Sequence, residues 1–344
     1  MSKPFDLFAE FARFGAQQKV SLRNPNATPE FVAHVEAAVE RALADPALVY
    51  GQWAEAMFEA LLVSLGDYAL LKPEDVGRVY PADDFGVPDF RVVLKDGRQW
   101  LIEVKNVYLD DPGHQERRLM TRAYRERQEA YAAATGGELK LAVFWARWAT
   151  WTLVTPAKLV DANGDLTLNM LNSMKANEMG DLGDRTIGTR PPLRFRLLAD
   201  PEKPSSLAPD GTTNFTIGGV EMFCGDDEIL NPTEREITWI FMQHGQWNES
   251  GPEAELADDR VKAIEYRWDP VARQNEGFET IGTLSRMFAK YYAEMTVDKR
   301  QVIQVHAPLQ PGWFAPLVST DYKSEVLPLW KFILQPNYDD WVAE

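Results

Sequence analysis

Asp89, Glu103 and Lys105 are the residues of this chain whose types and spacing could do chemistry together. They lie in VPDFRVVLKDGRQWLIEVKNV, residues 87–107, which otherwise reads as an apolar strand pair: Phe90, Val92, Leu94, then Trp100, Ile102, Val104. Side chains alternate along a strand, so Glu103 and Lys105 share a face. Two turns compete at LKDGR. A two-residue Asp96-Gly97 turn sets Phe90 opposite Glu103 and mixes apolar with charged residues. A three-residue loop, Lys95-Asp96-Gly97 with Gly97 left-handed, sets Leu94 opposite Arg98, Val92 opposite Trp100 and Phe90 opposite Ile102. The second keeps the apolar face continuous, and register follows it. It also sets Asp89 opposite Glu103, with Cβ atoms about 4.5–5.5 Å apart. Two carboxylates so placed repel unless a positive charge lies between them. Mg²⁺, which takes one or two carboxylates plus waters and phosphate oxygens, supplies it. The plainer reading is a surface Glu103–Lys105 pair with Asp89 capping a turn beside Pro88.

The elements that must position these residues are legible on either side. TPEFVAHVEAAVERALADPALV predicts a helix with Thr28 as N-cap, Pro29 at N1 and Phe31, Val35, Val39 and Leu43 at helical spacing. GQWAEAMFEALLVSLG predicts a second, from about Gln52 to Leu65, ended by Gly66. An irregular stretch containing Asp83 and Asp84, read as turn formers, leads into the hairpin. Asp110 and Asp111 behind it are read the same way. PGHQERRLMTRAYRERQEAYAAATGG predicts a helix of about five turns closed by Gly136 and Gly137, and LKLAVFWARWATWTLVTP two strands joined near Arg147. Helix, strand, strand, helix, strand, strand fits an α/β core: a small mixed sheet flanked by helices. The expected organisation is an amino-terminal helical segment (1–50), this core (51–160) and a carboxy-terminal α+β region (161–344). In the last, TIGGVEMF, EITWIFMQ, RQVIQVHA and VLPLWKFIL are strand or apolar candidates, TIGTLSRMFAKYYAEMT is an amphipathic helix, and residues 180–214 read as loops around one strand.

Composition narrows the classes. A chain of 344 residues, 45% hydrophobic and 26% charged, is ordinary for a folded protein. The single cysteine, Cys224, excludes an intrachain disulfide and a cysteine zinc site. His34, His114, His244 and His306 show no ligand spacing. The amino terminus lacks the apolar run of a signal peptide and no stretch approaches a membrane span, so the expectation is a cytoplasmic protein with no membrane partner. A net charge of −16 argues against nonspecific coating of nucleic acid, though not against one basic groove.

Over residues 50–156 the sequence resembles the PD-(D/E)xK nuclease superfamily, with its restriction-endonuclease-like fold. Pro88-Asp89 matches the PD element and Glu103-Val104-Lys105 the ExK element. Glu55, in a G-x-x-x-E arrangement on the upstream helix, matches the glutamate of resolvase-type members, with Glu59 one turn later as the fallback. The resemblance implies hydrolysis of DNA phosphodiester bonds with Mg²⁺ or Mn²⁺, in prokaryotic defence or repair. Asp89, Glu103, the Val104 carbonyl and Glu55 would hold metal, and Lys105 would orient the attacking water or stabilise the transition state. RNA as substrate, or a non-catalytic scaffold on the same fold, are the alternatives. The sequence departs from the Q-x-x-x-Y element of some relatives: Gln128 is followed by Tyr131 at three residues. On the following helix Arg118, Arg122 and Arg125, with Gln128, would line the substrate groove; a solvated helix face is the competing reading. Trp145, Trp148 and Trp151 read as packing before base stacking. A homodimer or partner protein would engage through the carboxy-terminal region.

Overall fold

A computed structural model describes residues 7–74, 84–257, 260–273 and 277–339; Asp83 lies outside them. The chain forms two compact units, Met1–Trp53 and Ala54–Glu344.

The first unit comprises α1 (Leu7–Gln18), α2 (Ala27–Leu43) and the start of α3 (Pro46–Leu65). Phe31 of α2 is buried against Phe11 and Phe14, with ring centroids 5.4 and 5.5 Å apart. Of the expected apolar stripe on α2 only Phe31 is buried; Val35, Val39 and Leu43 are exposed. The helix starts earlier than Thr28-Pro29 suggests, with Asn26 at its cap. A turn in which Ala27 N–H reaches the Asn24 carbonyl (3.0 Å) has already begun the winding. Helix α3 also begins early, because Asp45 accepts from the N–H groups of Ala47 and Leu48 (3.0 and 3.3 Å) ahead of Pro46. It ends where expected, at Gly66, whose φ of +67° suits glycine.

The second unit carries a mixed five-stranded sheet, ordered β1 (Leu70–Pro73), β2 (Phe90–Val93), β3 (Gln99–Val107), β5 (Glu138–Trp145), β6 (Thr150–Val154). Strands β1, β2 and β3 run antiparallel, β3 and β5 are parallel, and β6 turns back. Helix α4 (Arg122–Ala134) makes the crossover between the parallel pair. The expected hairpin register holds: Phe90 faces Ile102 and Val92 faces Trp100. Leu94 N–H donates to the Arg98 carbonyl at 2.9 Å, and Gly97 takes φ +90°. This is the mixed sheet with flanking helices expected from the order of the elements.

The division into one apolar and one polar hairpin face does not hold. As a central strand β3 is covered on both sides. Phe90, Phe144 and Trp151 meet Phe58 of α3 or one another on one face. Leu101, Leu139, Leu141 and Val143 meet Tyr131 and Ala132 of α4 on the other. Glu103 belongs to this second layer, 3% exposed. Trp145 and Trp151 are packed inside, and Trp148 is exposed.

The five-turn helix is also corrected. Residues Arg117–Met120 form a strand, β4, paired with β7 (Leu166–Leu168), and the helix starts only at Arg122 behind an N-cap at Thr121. Further on, Leu193–Ala199 and Ile217–Cys224 join Arg260–Asp269, Asn248–Ala257 and Asp227–Glu228 in an antiparallel sheet. Thr186–Thr189 is a further strand, between Glu279–Thr283 and Trp330–Phe332. EITWIFMQ is helical, within Pro232–His244, because Asn231 caps it and Pro232 opens it. TIGTLSRMFAKYYAEMT divides into the strand Glu279–Thr283 and the helix Leu284–Thr296, and RQVIQVHA is extended only at Gln301–Val302. The carboxy-terminal region is thus α+β, as expected.

Candidate active site

Asp89 stands one residue before β2, where the backbone turns out of the ladder. Its carbonyl accepts from Glu74 N–H at 2.7 Å, and its Oδ2 accepts from Val104 N–H at 2.7 Å. Burial first, then the charge of Glu103, with Glu55 adding to it, push the Asp89 carboxyl up to about 8, against the pull of the Val104 bond and of Lys105. Asp89, Glu103, Glu55 and Lys105 therefore form one electrostatic group. Val104 enters it through its N–H.

Glu103 is held by three donors. Lys105 Nζ and the Tyr124 hydroxyl (2.5 Å) reach Oε1, and Gln128 Nε2 (2.5 Å) reaches Oε2. Lys105 Nζ lies 5.2 Å from the centroid of the Tyr124 ring, a cation–π distance. Burial and the Glu103 charge raise the Tyr124 phenol well above its ordinary value, so it remains a donor. Gln128, 1% exposed, also donates from Nε2 to the Tyr124 oxygen (3.2 Å), and its own Oε1 is buried without a hydrogen-bond partner. An orphaned acceptor costs about 1–3 kcal/mol. The reversed amide would instead press oxygen against the Glu103 carboxylate, which costs more.

The loop before Asp89 is fastened to the same helix. Gly86 N–H donates to the Arg127 carbonyl (3.1 Å), and Arg127 pairs with Asp84 (3.1 Å). A Cβ on Gly86 would come within 3.1 Å of Gln128 Cγ, so glycine lets this segment run against α4. Asp111 closes a turn onto the His114 ring (3.0 Å) and Asp110 lies 3.8 Å from Arg147, both apart from the carboxylate group.

Glu59, the fallback, has a different set of neighbours acting on it. Burial raises its carboxyl, and the charge it answers to is that of His306. The expected arginine face is not formed either. Arg118 lies on β4 and pairs with Asp165 (3.3 Å), Arg122 with Glu126 (2.7 Å), and Arg125, 9% exposed, with Glu129 (2.5 Å). Gln128 points at Glu103 instead of outward. Tyr124 was missed, although its i, i+4 spacing to Gln128 puts both on one helix face.

Tyr131 serves a second carboxylate. Its hydroxyl donates to Glu74 Oε1 (2.7 Å), as does Arg91 Nη2 (2.7 Å), whereas Arg91 Nε and Lys72 Nζ donate to Oε2 (both 3.1 Å). Arg91 above all holds the Glu74 carboxyl down, at about 2.

Among the described residues no three acid, histidine or cysteine side chains already form a cation cage. The donor set nevertheless fits a hard cation. It is all oxygen, and burial first, then the Glu103 and Glu55 charges, keep Asp89 costly to ionise, a penalty that a divalent ion would offset.

No family model and no curated protein matches the chain. Among solved structures it is similar to Hjc, a Holliday junction resolvase of the archaeal hyperthermophile Archaeoglobus fulgidus, at 20% identity and a TM-score of 0.26, over 33% of this chain and 87% of that one. Among the described residues no helix is long and apolar enough to cross a membrane.

Proposed function

We propose that the protein is a divalent-metal-dependent nuclease that hydrolyses phosphodiester bonds, with DNA as substrate. The observation that carries this reading is the gathering of Asp89, Glu103 and Glu55 beside Lys105, with Asp89 fixed on the Val104 N–H; burial first, and then the Glu103 and Glu55 charges, raise the Asp89 carboxyl to about 8. Structural carboxylates are normally paired with cations that lower them, as Glu74 is by Arg91. Asp89, Glu103 and Glu55 would hold Mg²⁺ or Mn²⁺, which when bound polarises the scissile phosphate and acidifies a water. Asp89 is fixed for this by the Val104 N–H. Lys105, one-third exposed at its side chain, offers its ammonium to the charge that develops on the phosphate. Arg118 and Arg122, exposed and paired with Asp165 and Glu126, would exchange those partners for backbone phosphates.

A non-catalytic scaffold is the second reading, favoured by the three donors already on Glu103. The assay is cleavage of plasmid, single-stranded DNA and RNA with Mg²⁺, Mn²⁺ or EDTA, alongside Lys105→Ala. The nuclease reading expects metal-dependent DNA cleavage, lowered about 10²–10³-fold by the substitution. Cleavage of RNA alone would change the substrate. No cleavage, or equal cleavage by Lys105→Ala, would overturn the catalytic reading.

A further inference from the structure

A carboxylate offers about four lone-pair directions. Glu103 spends two on Oε1, to Lys105 and Tyr124, and one on Oε2, to Gln128. A single direction on Oε2 remains. Tyr124 touches both functional groups, with its hydroxyl on Glu103 and its ring face toward Lys105. Gln128 bonds to Tyr124 as well as to Glu103, so the carboxylate and its two holders form a closed triangle. We propose that Tyr124 and Gln128 are positioning residues that make Glu103 a one-oxygen ligand through Oε2, and that the Tyr124 ring separately sets the direction of Lys105. This rests on the nuclease reading and goes beyond it, because the resemblance implied Gln128 as a substrate contact and gave Tyr124 no role.

The two assignments for Gln128 separate in one experiment on the full chain. Mn²⁺ binding is measured without nucleic acid, from the loss of the free-ion paramagnetic signal, for the wild type, Tyr124→Phe, Tyr124→Leu and Gln128→Met. Duplex cleavage is followed in parallel at saturating Mn²⁺. Positioning predicts about 10–100-fold weaker Mn²⁺ binding for Tyr124→Phe and Gln128→Met, with KM for duplex unchanged. Tyr124→Leu also removes the ring from Lys105, so its kcat stays low at saturating Mn²⁺ whereas that of Tyr124→Phe recovers. Wild-type Mn²⁺ affinity in Tyr124→Phe and Gln128→Met overturns the proposal and leaves the nuclease reading standing, and so does a raised KM with unchanged Mn²⁺ binding. A wild-type chain that binds no Mn²⁺ overturns both. Tyr124→Phe keeps the packing of the ring, so its Mn²⁺ affinity decides between the outcomes if Gln128→Met fails to fold.

Discussion

Gln128 and Tyr131 lie three residues apart on α4 and bond to two different carboxylates, Glu103 and Glu74. The helix therefore reads the sheet at two points, one in the candidate site and one in an ion pair beside it. Mutation should separate them. Tyr131→Phe is expected to cost about 0.5–1.5 kcal/mol, or somewhat more because a charged acceptor loses a donor, and to leave Mn²⁺ binding and cleavage unchanged. Urea denaturation with a parallel cleavage assay checks this; loss of Mn²⁺ affinity in Tyr131→Phe would join the two points into one.

The Glu74 carboxyl is depressed to about 2. A depressed acid binds fewer protons folded than unfolded, so its stabilisation is present above about pH 4.5 and is lost as pH falls toward 2. Glu74→Gln should flatten the melting temperature over that window. A wild-type curve with no slope there would contradict the pairing with Arg91.

Asp89 has the opposite sign. Its folded value, about 8, exceeds the ordinary one, so the folded protein holds the extra proton. In EDTA, stability is then expected to fall as pH rises from about 4 to 8. Asp89→Asn should remove that slope and raise the melting temperature at pH 8 by several degrees. Mg²⁺ or Mn²⁺ should do the same for the wild type and nothing for Asp89→Asn. Melting curves across pH, with and without cation, decide it.

Arg118 and Arg122 should each contribute to nucleic-acid affinity through phosphate. Replacing either with Ala is expected to reduce the slope of log K against log salt by about one and to leave sequence preference alone. Arg125→Ala should instead lower stability by about 1–3 kcal/mol, since its guanidinium is buried against Glu129 and the Gly164 carbonyl. Fluorescence anisotropy at several salt concentrations, with melts, separates these roles.

Gly97→Ala places a side chain at φ +90° with open space around it. The expected cost is about 1 kcal/mol from backbone strain alone. Because this turn sets the hairpin register, Gly97→Val should lose more stability and also weaken Mn²⁺ binding. Urea denaturation and Mn²⁺ titration of the two variants check this.

The hairpin was legible because an apolar pattern admits few registers, and only the three-residue loop kept Val92 against Trp100. Helix ends were legible where a glycine or a cap residue marked them, as at Gly66. Asp45-Pro46 and Asn231-Pro232 carried the same kind of signal, but the residues after Pro46 read as the end of the preceding helix and the apolar run after Pro232 as a strand. Periodicity cannot separate a short buried helix from a strand. Glu103, Asp89 and Lys105 could be found because their spacing is local. Tyr124 could not be tied to Glu103 from sequence, since the partners are 21 residues apart and meet only once α4 packs on β3. Arg118 was misplaced for a related reason: its strand forms by pairing with Leu166–Leu168, where Arg118 faces Thr167 and bonds to Asp165, 47 residues away in sequence.

That pairing reaches further than the sheet it forms. Asp165 Oδ1 accepts the Arg122 N–H at 2.8 Å, so the first backbone donor of α4 is satisfied from beyond residue 160. Downstream, Ser173 bonds to Thr152 (2.6 Å) and Glu178 to the buried Lys140 (2.6 Å). The stretch that carries the candidate site is therefore not a portable cassette. A fragment cut at residue 160 would keep every charged group of the site and lose the clasp that starts the helix bearing Tyr124 and Gln128.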